Sequence, residues 1–322
     1  MVQGGPVVQL AVIVVSVLGL WVGARLLVDA SVRLARRFGL SDLVIGLTIV
    51  AMGTSTPELA VSLDAAYKGL GDIAVANVLG SNIYNLAAIL GVVSLLRVIP
   101  VEGSLLHRDG VALLAATALG GVALLDLGVS RIEGAVLAGL FVAYTGYLLR
   151  ASRGADTTAA EGTDPVTREL TARPAFRGRD ALLLVVGLAV VLVSGDSMVL
   201  AASDLARGVG ISEWVIGGTI VAAGTSTPEF AVSVVAIRRG SLGVSVGNVV
   251  GSNIYNLLGV MGVAALVRPL AVSPTALETL AWLAAVTVLM VAALWTGRVL
   301  SRLEGALFTG SELLRWVVGI IG

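Results

Sequence analysis

Apolar residues run along this chain in blocks of about 20, the length needed to cross a bilayer as a helix, and polar residues collect between the blocks. The pattern predicts ten spans, at about 7–32, 43–66, 73–96, 108–126, 131–150, 180–205, 214–237, 244–267, 276–296 and 303–321. One long polar stretch interrupts them, 151–178, rich in Thr, Ala, Gly, Pro and mixed charge. Its few apolar residues predict a flexible linker. Its carboxylates, Asp156, Glu161, Asp164 and Glu169, lack the spacing of an EF-hand loop. The chain thus divides into an N-terminal half, 1–150, and a C-terminal half, 179–322, of five spans each. The fold class expected is an all-α integral membrane protein.

The two halves repeat one another. Residues 42–91 and 213–262 align without a gap and agree at 29 of 50 positions. Within them, Gly-Thr-Ser-Thr-Pro-Glu occurs at 53–58 and 224–229, and Gly-Ser-Asn-Ile-Tyr-Asn at 80–85 and 251–256. The offset is 171 residues throughout. Five spans is an odd number, so the two repeats must sit upside-down relative to each other. Inverted repeats with the substrate at the midplane are a common plan of secondary transporters. With the N-terminus outside, inward-facing segments carry 15 Arg and Lys residues and outward-facing ones carry 5. That bias places the 151–178 linker in the cytoplasm and both termini outside.

Composition agrees with a membrane protein and narrows the chemistry. The chain is 57% hydrophobic and 13% charged, with a mean hydropathy of +0.98. Its 40 glycines suit helices that approach closely in lipid. Net charge is zero, which gives nucleic acid no electrostatic footing. There is no cysteine, hence no disulfide and no thiolate site. The first residues lack a basic n-region and the apolar run after them exceeds a signal-peptide core, so it reads as a retained first helix. No His cluster and no nucleophile–base set appears, so the chain is not read as an enzyme, and no cofactor or obligatory protein partner is expected.

Polar residues inside the spans are the informative ones. Pro57 removes a donor and clashes with the preceding turn, so the helix must break there, and carbonyls freed in lipid need a polar partner. Thr54 and Ser55 stand four and three residues before Glu58, on one helical face, as do Thr225 and Ser226 before Glu229. Asn77, Ser81 and Asn85 follow at four-residue steps, as do Asn248, Ser252 and Asn256. Asn77 and Asn248 serve equally well as ligands or as links between helices. Carboxylate, hydroxyl and amide oxygens without nitrogen or sulfur suit a hard cation such as Ca²⁺. Glu58 and Glu229 are costly in hydrocarbon and have no basic residue within their segments to pair with. Elsewhere, Arg25 and Asp29 are four apart on the first span and are expected to pair. Asp196 is a possible further element of an ion path, and His107 is expected at the surface.

The paired strings resemble the two α-repeats of the cation/Ca²⁺ antiporter superfamily, in its Na⁺/Ca²⁺ exchanger branch. The resemblance covers both repeats and, through the span count, the whole chain. It implies that broken second and seventh helices, with the third and eighth, enclose the ions. Glu58 and Glu229 would lie at the centre, with Thr54, Ser55, Thr225 and Ser226 around them. Ser81, Asn85, Ser252 and Asn256 would complete the shell, and the carbonyls of Ala51 and Ala222 would serve Na⁺. The implied function is an antiporter of the cell (plasma or inner) membrane exchanging Na⁺ for Ca²⁺ by alternating access. Two carboxylates balance one Ca²⁺, while several Na⁺ fit the same oxygens, so the ions compete. Alternatives are a H⁺/Ca²⁺ exchanger, a K⁺-dependent Na⁺/Ca²⁺ exchanger and, from another class, a cation channel. The large regulatory domains of animal exchangers are absent, and Asn256 stands where the K⁺-dependent branch tends to have Asp.

Overall fold

In lipid every backbone N–H and C=O must be satisfied internally, by helix or by a closed barrel, and continuous apolar blocks of about 20 residues, without a barrel strand's alternation, select helix. The computed structural model describes residues 5–38, 40–100, 105–160, 178–208, 222–297 and 299–321. The first span is Pro6–Phe38. The second is two helices, Asp42–Thr54 and Thr56–Lys68, bent by 48°. The third is Gly71–Leu96. The fourth joins a π-helical turn, Leu105–Gly110, to Val111–Ala123. The fifth is Arg131–Ala160 and the sixth Gly178–Gly208. The seventh is broken like the second, into Ala222–Thr225 and Thr227–Arg238; its expected beginning, 214–221, lies outside the described residues. The eighth is Leu242–Val267, the ninth Thr275–Gly297 and the tenth Arg302–Ile321.

Two expectations need correction. The fifth helix continues through Ala160 and the sixth begins at Gly178, so the ends of the supposed 151–178 linker are helical. Alanines 151, 155, 159 and 160 favour this continuation. Residues 161–177 lie outside the described residues. The Arg25–Asp29 pair does not form. Asp29 instead meets Arg239, from the end of the seventh span, at 3.2 Å. Arg25 lies over the Trp21 ring, 4.5 Å from its centre. A four-residue spacing permits a pair but cannot exclude a partner from another element. His107 is exposed, as expected, with its ring edge against Trp295.

The breaks have a local cause. Ser55 and Ser226 leave the helical region, with ψ of 17° and 6°. Pro57 and Pro228 open the helices that follow, where their missing N–H costs nothing. Thr56 donates to the carbonyl of Gly53 at 2.7 Å, and Thr227 to that of Ala223 at 3.1 Å. The threonines thereby satisfy carbonyls that the breaks release.

Packing interlocks the halves. The fifth span lies on the eighth and the tenth on the third, so each half's last helix supports the other half's third. Phe141 packs on Tyr255 at 4.9 Å, and Tyr84 stacks on Trp316 at 6.0 Å. Two short antiparallel ribbons complete the lock. Strand β1 (Ile99–Pro100) pairs β4 (Val299–Leu300), and β2 (Gly128–Val129) pairs β3 (Leu270–Ala271). Adding the repeat offset converts Ile99↔Leu300 into Leu270↔Val129, so one internal two-fold axis relates both ribbons. The first ribbon joins the connections after the third and ninth spans, the second those after the fourth and eighth. Each pair has the same parity, as a ten-span chain with inverted halves requires. One large apolar core unites the second to fifth and seventh to tenth spans. The first and sixth flank it through a smaller core. They touch backbone to backbone: a Cβ on Gly187 would lie 2.7 Å from the Leu27 nitrogen.

Candidate cation site

The broken helices place their second pieces so that Glu58 and Glu229 fall in the first turn. Ser-Thr-Pro-Glu is a local capping-box sequence, yet neither Ser55 nor Ser226 caps its own helix. Each serine reaches across the two-fold axis instead. Ser55 donates to Glu229 Oε1 at 2.6 Å, and Ser226 donates to Glu58 Oε1 at 3.0 Å. Charge-assisted bonds of this kind are about twice as strong as neutral ones, enough to outcompete a cap. Both carboxylates and both serines are fully buried. Among the described residues no Arg or Lys forms an ion pair with either glutamate.

The third and eighth spans add the remaining oxygens. Ser252 reaches Glu229 Oε1 at 3.3 Å and the Ala51 carbonyl at 3.5 Å. Ser81 and Thr225 share a contact of 3.4 Å. Thr54 bonds the carbonyls of Val50 and Ala51 and donates to Asn248 Oδ1 at 3.0 Å. Asn85 and Asn256 sit in π-helical turns, Tyr84–Leu90 and Tyr255–Val260, a distortion that recurs at functional sites. Among the described residues seven buried side-chain oxygens have no hydrogen-bond partner, and four of them belong to this site: Glu58 Oε2, Glu229 Oε2, Asn85 Oδ1 and Asn256 Oδ1. Buried polar atoms are normally satisfied. These four are acceptors only, come from the two repeats in matching pairs, and include both uncompensated charges. A hard cation is the partner such a set fits.

A family model described as sodium/calcium exchanger protein matches residues 8–150 and 180–311. The chain belongs to that family. Among relatives of this exchanger, the sodium/calcium exchanger MaX1 of Methanosarcina acetivorans is 30% identical over 88% of this chain and 90% of its own. A putative antiporter, CaxA of Alkalimonas amylolytica, is 36% identical over 94% of this chain and 95% of its own. A solved structure of the sodium-calcium exchanger NCX_Mj, soaked with Na⁺ and Sr²⁺, superposes with a TM-score of 0.81 at 29% identity. It covers 96% of this chain and 98% of that one. The exchanger is therefore a multi-pass membrane protein of ten helices in two repeats.

The exchanger brings together nearly all the residues singled out in its sequence. Thr54, Ser55, Glu58, Ser81, Ser226, Glu229 and Ser252 are buried and take part in the bonds above, as do Thr225 and Ala51; Asn85 and Asn256 are buried on the third and eighth spans. Ala222 opens the first described piece of the seventh span. Asn77 and Asn248 resolve as links between helices. Asn77 donates to the Glu58 carbonyl at 3.0 Å and to Ser62 at 2.9 Å. Asn248 donates to the Glu229 carbonyl at 3.2 Å and to Ser233 at 3.1 Å. Asp196 is exposed on the sixth span, outside this buried set. Sequence reasoning passed over Asn82 and Asn253, both fully buried between the third and eighth spans. Their signal was present, since each lies inside the repeated Gly-Ser-Asn-Ile-Tyr-Asn string, but one position off the face being followed.

Proposed function

We propose that this exchanger moves Ca²⁺ in one direction and Na⁺ in the other through one buried site, exposed to the two membrane faces in turn. Glu58 and Glu229 supply the charge. Thr54, Ser55, Thr225, Ser226, Ser81, Asn85, Ser252, Asn256 and the carbonyls of Ala51 and Ala222 supply neutral oxygens. One observation carries the reading: one oxygen of each uncompensated carboxylate and the amide oxygens of Asn85 and Asn256 are buried without a hydrogen-bond partner, in pairs that match between the two repeats, while each carboxylate is held by a serine of the other half. A divalent ion balances both charges, and Na⁺ ions compete for the same oxygens, so neither species crosses without displacing the other.

The functional halves are 1–150, with motifs at 51–58 and 77–85, and 179–322, with motifs at 222–229 and 248–256. The basic bias of the sequence supports a cell-membrane orientation with both termini outside. Purified protein in liposomes tests the exchange. Uptake of ⁴⁵Ca²⁺ should follow an outward Na⁺ gradient and stop when internal Na⁺ is replaced by choline. Uptake that ignores Na⁺ and follows an imposed pH gradient would overturn the coupling in favour of protons.

A further inference from the structure

Four asparagines form a two-fold hydrogen-bond circuit, Asn85–Asn253–Asn82–Asn256, between the third and eighth spans. Asn82 Nδ2 donates to the backbone carbonyl of Asn253, and Asn253 Nδ2 donates to that of Asn82, both at 3.2 Å. Asn85 Nδ2 donates to Asn253 Oδ1 at 3.0 Å, and Asn256 Nδ2 donates to Asn82 Oδ1 at 3.2 Å. All four side chains are fully buried.

The circuit has only one consistent set of amide orientations. A backbone carbonyl can only accept, so the NH₂ groups of Asn82 and Asn253 must face the two carbonyls. Their Oδ1 atoms then face Asn85 and Asn256, which must answer with NH₂. What remains of Asn85 and Asn256 is the oxygen, and those two oxygens are the unpartnered ones. Two main-chain carbonyls thus dictate, through one intermediate amide each, that oxygen and not NH₂ points away from the circuit. Without that constraint an asparagine amide can turn over, and an NH₂ aimed at a cation repels it.

We propose that Asn82 and Asn253 are positioning residues, which hold Asn256 and Asn85 with their oxygens toward the transported cation. The proposal rests on the site reading above, in which Asn85 and Asn256 are ligands. It assigns crossed roles: Asn253, in the C-terminal half, orients the ligand Asn85 of the N-terminal half, and Asn82 orients Asn256.

The test is a double-mutant cycle on Na⁺-driven ⁴⁵Ca²⁺ uptake in liposomes, scored as the KM for Ca²⁺ beside the maximal rate. Asn253→Ala should raise KM about tenfold, the size expected when one buried hydrogen bond and the ligand it holds are lost. In an Asn85→Ala background the same substitution should leave KM unchanged, because no amide remains to be turned. Asn85→Asp should also impair binding, since its carboxylate meets Asn253 Oδ1 with no proton between them. Adding Asn253→Ala should then restore affinity, because a carboxylate has no wrong way round. Asn82→Ala with Asn256 gives the symmetric, independent cycle.

Equal losses in both backgrounds, with no rescue of Asn85→Asp, would mean that Asn253 acts as scaffold, and the proposal would fall while the site stood. An unchanged KM in Asn85→Ala would instead remove Asn85 from the ligand set. If Asn82→Ala and Asn253→Ala both fail to purify as monodisperse protein while Asn85→Ala does, the circuit serves folding, and the positioning role is refuted.

Discussion

Glu58→Gln is the sharpest perturbation available at this site, because it removes one of the two charges while keeping the side chain's shape. Ser226 donates to Glu58 Oε1 at 3.0 Å, and its hydroxyl can bond either end of a carboxamide. The bond to Ser226 therefore survives the substitution. What is lost is the charge beside Oε2, the oxygen left free for the ion. Two unit charges 4 Å apart at an effective dielectric of about 20 interact by about 4 kcal/mol, and a divalent ion doubles that. Allowing half of the doubled value to be offset by the lower desolvation cost of a neutral amide leaves about 4 kcal/mol, or roughly a thousandfold in affinity. Glu229→Gln should behave alike, since Ser55 and Ser252 both hold its Oε1.

Two assays read this together. Na⁺-driven ⁴⁵Ca²⁺ uptake should fall to background in both variants. The thermal shift produced by Ca²⁺, which reaches about 2.7 kcal/mol of stabilisation at a hundredfold excess over Kd, should vanish. Melting without Ca²⁺ should be no lower than in the parent, because Gln removes a buried charge rather than a packing contact. Near-parental flux with a retained Ca²⁺ shift in both variants would refute the placement of the ion at these carboxylates.

Three further outcomes are expected. Gly187→Ala forces a methyl against the Leu27 backbone and should destabilise by about 1–3 kcal/mol as an overpacked contact, seen as a lower melting temperature in detergent; Gly139→Ala, exposed with nothing within 4 Å, should not. Asn77→Ala removes the side-chain donor that ties the third span to the Glu58 carbonyl and to Ser62 and should lower the melting temperature, at about 1–3 kcal/mol, with a smaller rise in Ca²⁺ KM than Asn85→Ala; the reverse ranking would make Asn77 the ligand. A single cysteine at Ala172→Cys, in a chain with no native cysteine, should react with an impermeant thiol reagent only from the cytoplasmic side. Labelling from outside alone would invert the orientation.

The apolar blocks located the spans because a continuous apolar run of about 20 residues, lacking a barrel strand's alternation, can satisfy its backbone in lipid only as a helix. The repeat, with its proline and glutamate, located the breaks and the carboxylates because both are unfavourable in hydrocarbon without a purpose. Pairing was less legible. Ser55 stands three residues from Glu58 and reads as its neighbour, but it bonds Glu229, 174 residues away. Helical periodicity reports which residues share a face, not which face comes opposite, and opposition here follows from how two inverted helices cross. Asn82 escaped for the same reason: its partner is Asn253, 171 residues on, and only the crossing of the third and eighth spans reveals it. Asp29 likewise found Arg239 rather than its neighbour on the helix.

The interlocked ribbons also bear on how the protein is made. Ile99 of β1 has no strand partner until Leu300 of β4 has been synthesised, 201 residues later. At the usual elongation rate of about 5–20 residues per second this takes roughly 10–40 s. For the later part of that interval the first five helices have been made and wait without the spans that cover them. Glu58 meanwhile lacks the Ser226 hydroxyl, and the third span lacks the cover of the tenth. The nascent N-terminal half therefore passes its youth as an open fragment with an unsatisfied acid in the membrane, exposed to quality-control proteases and to other nascent halves. Release of the last helix from the ribosome is the event that ends this exposure, so truncations near the C-terminus should be cleared far faster than their small loss of sequence suggests.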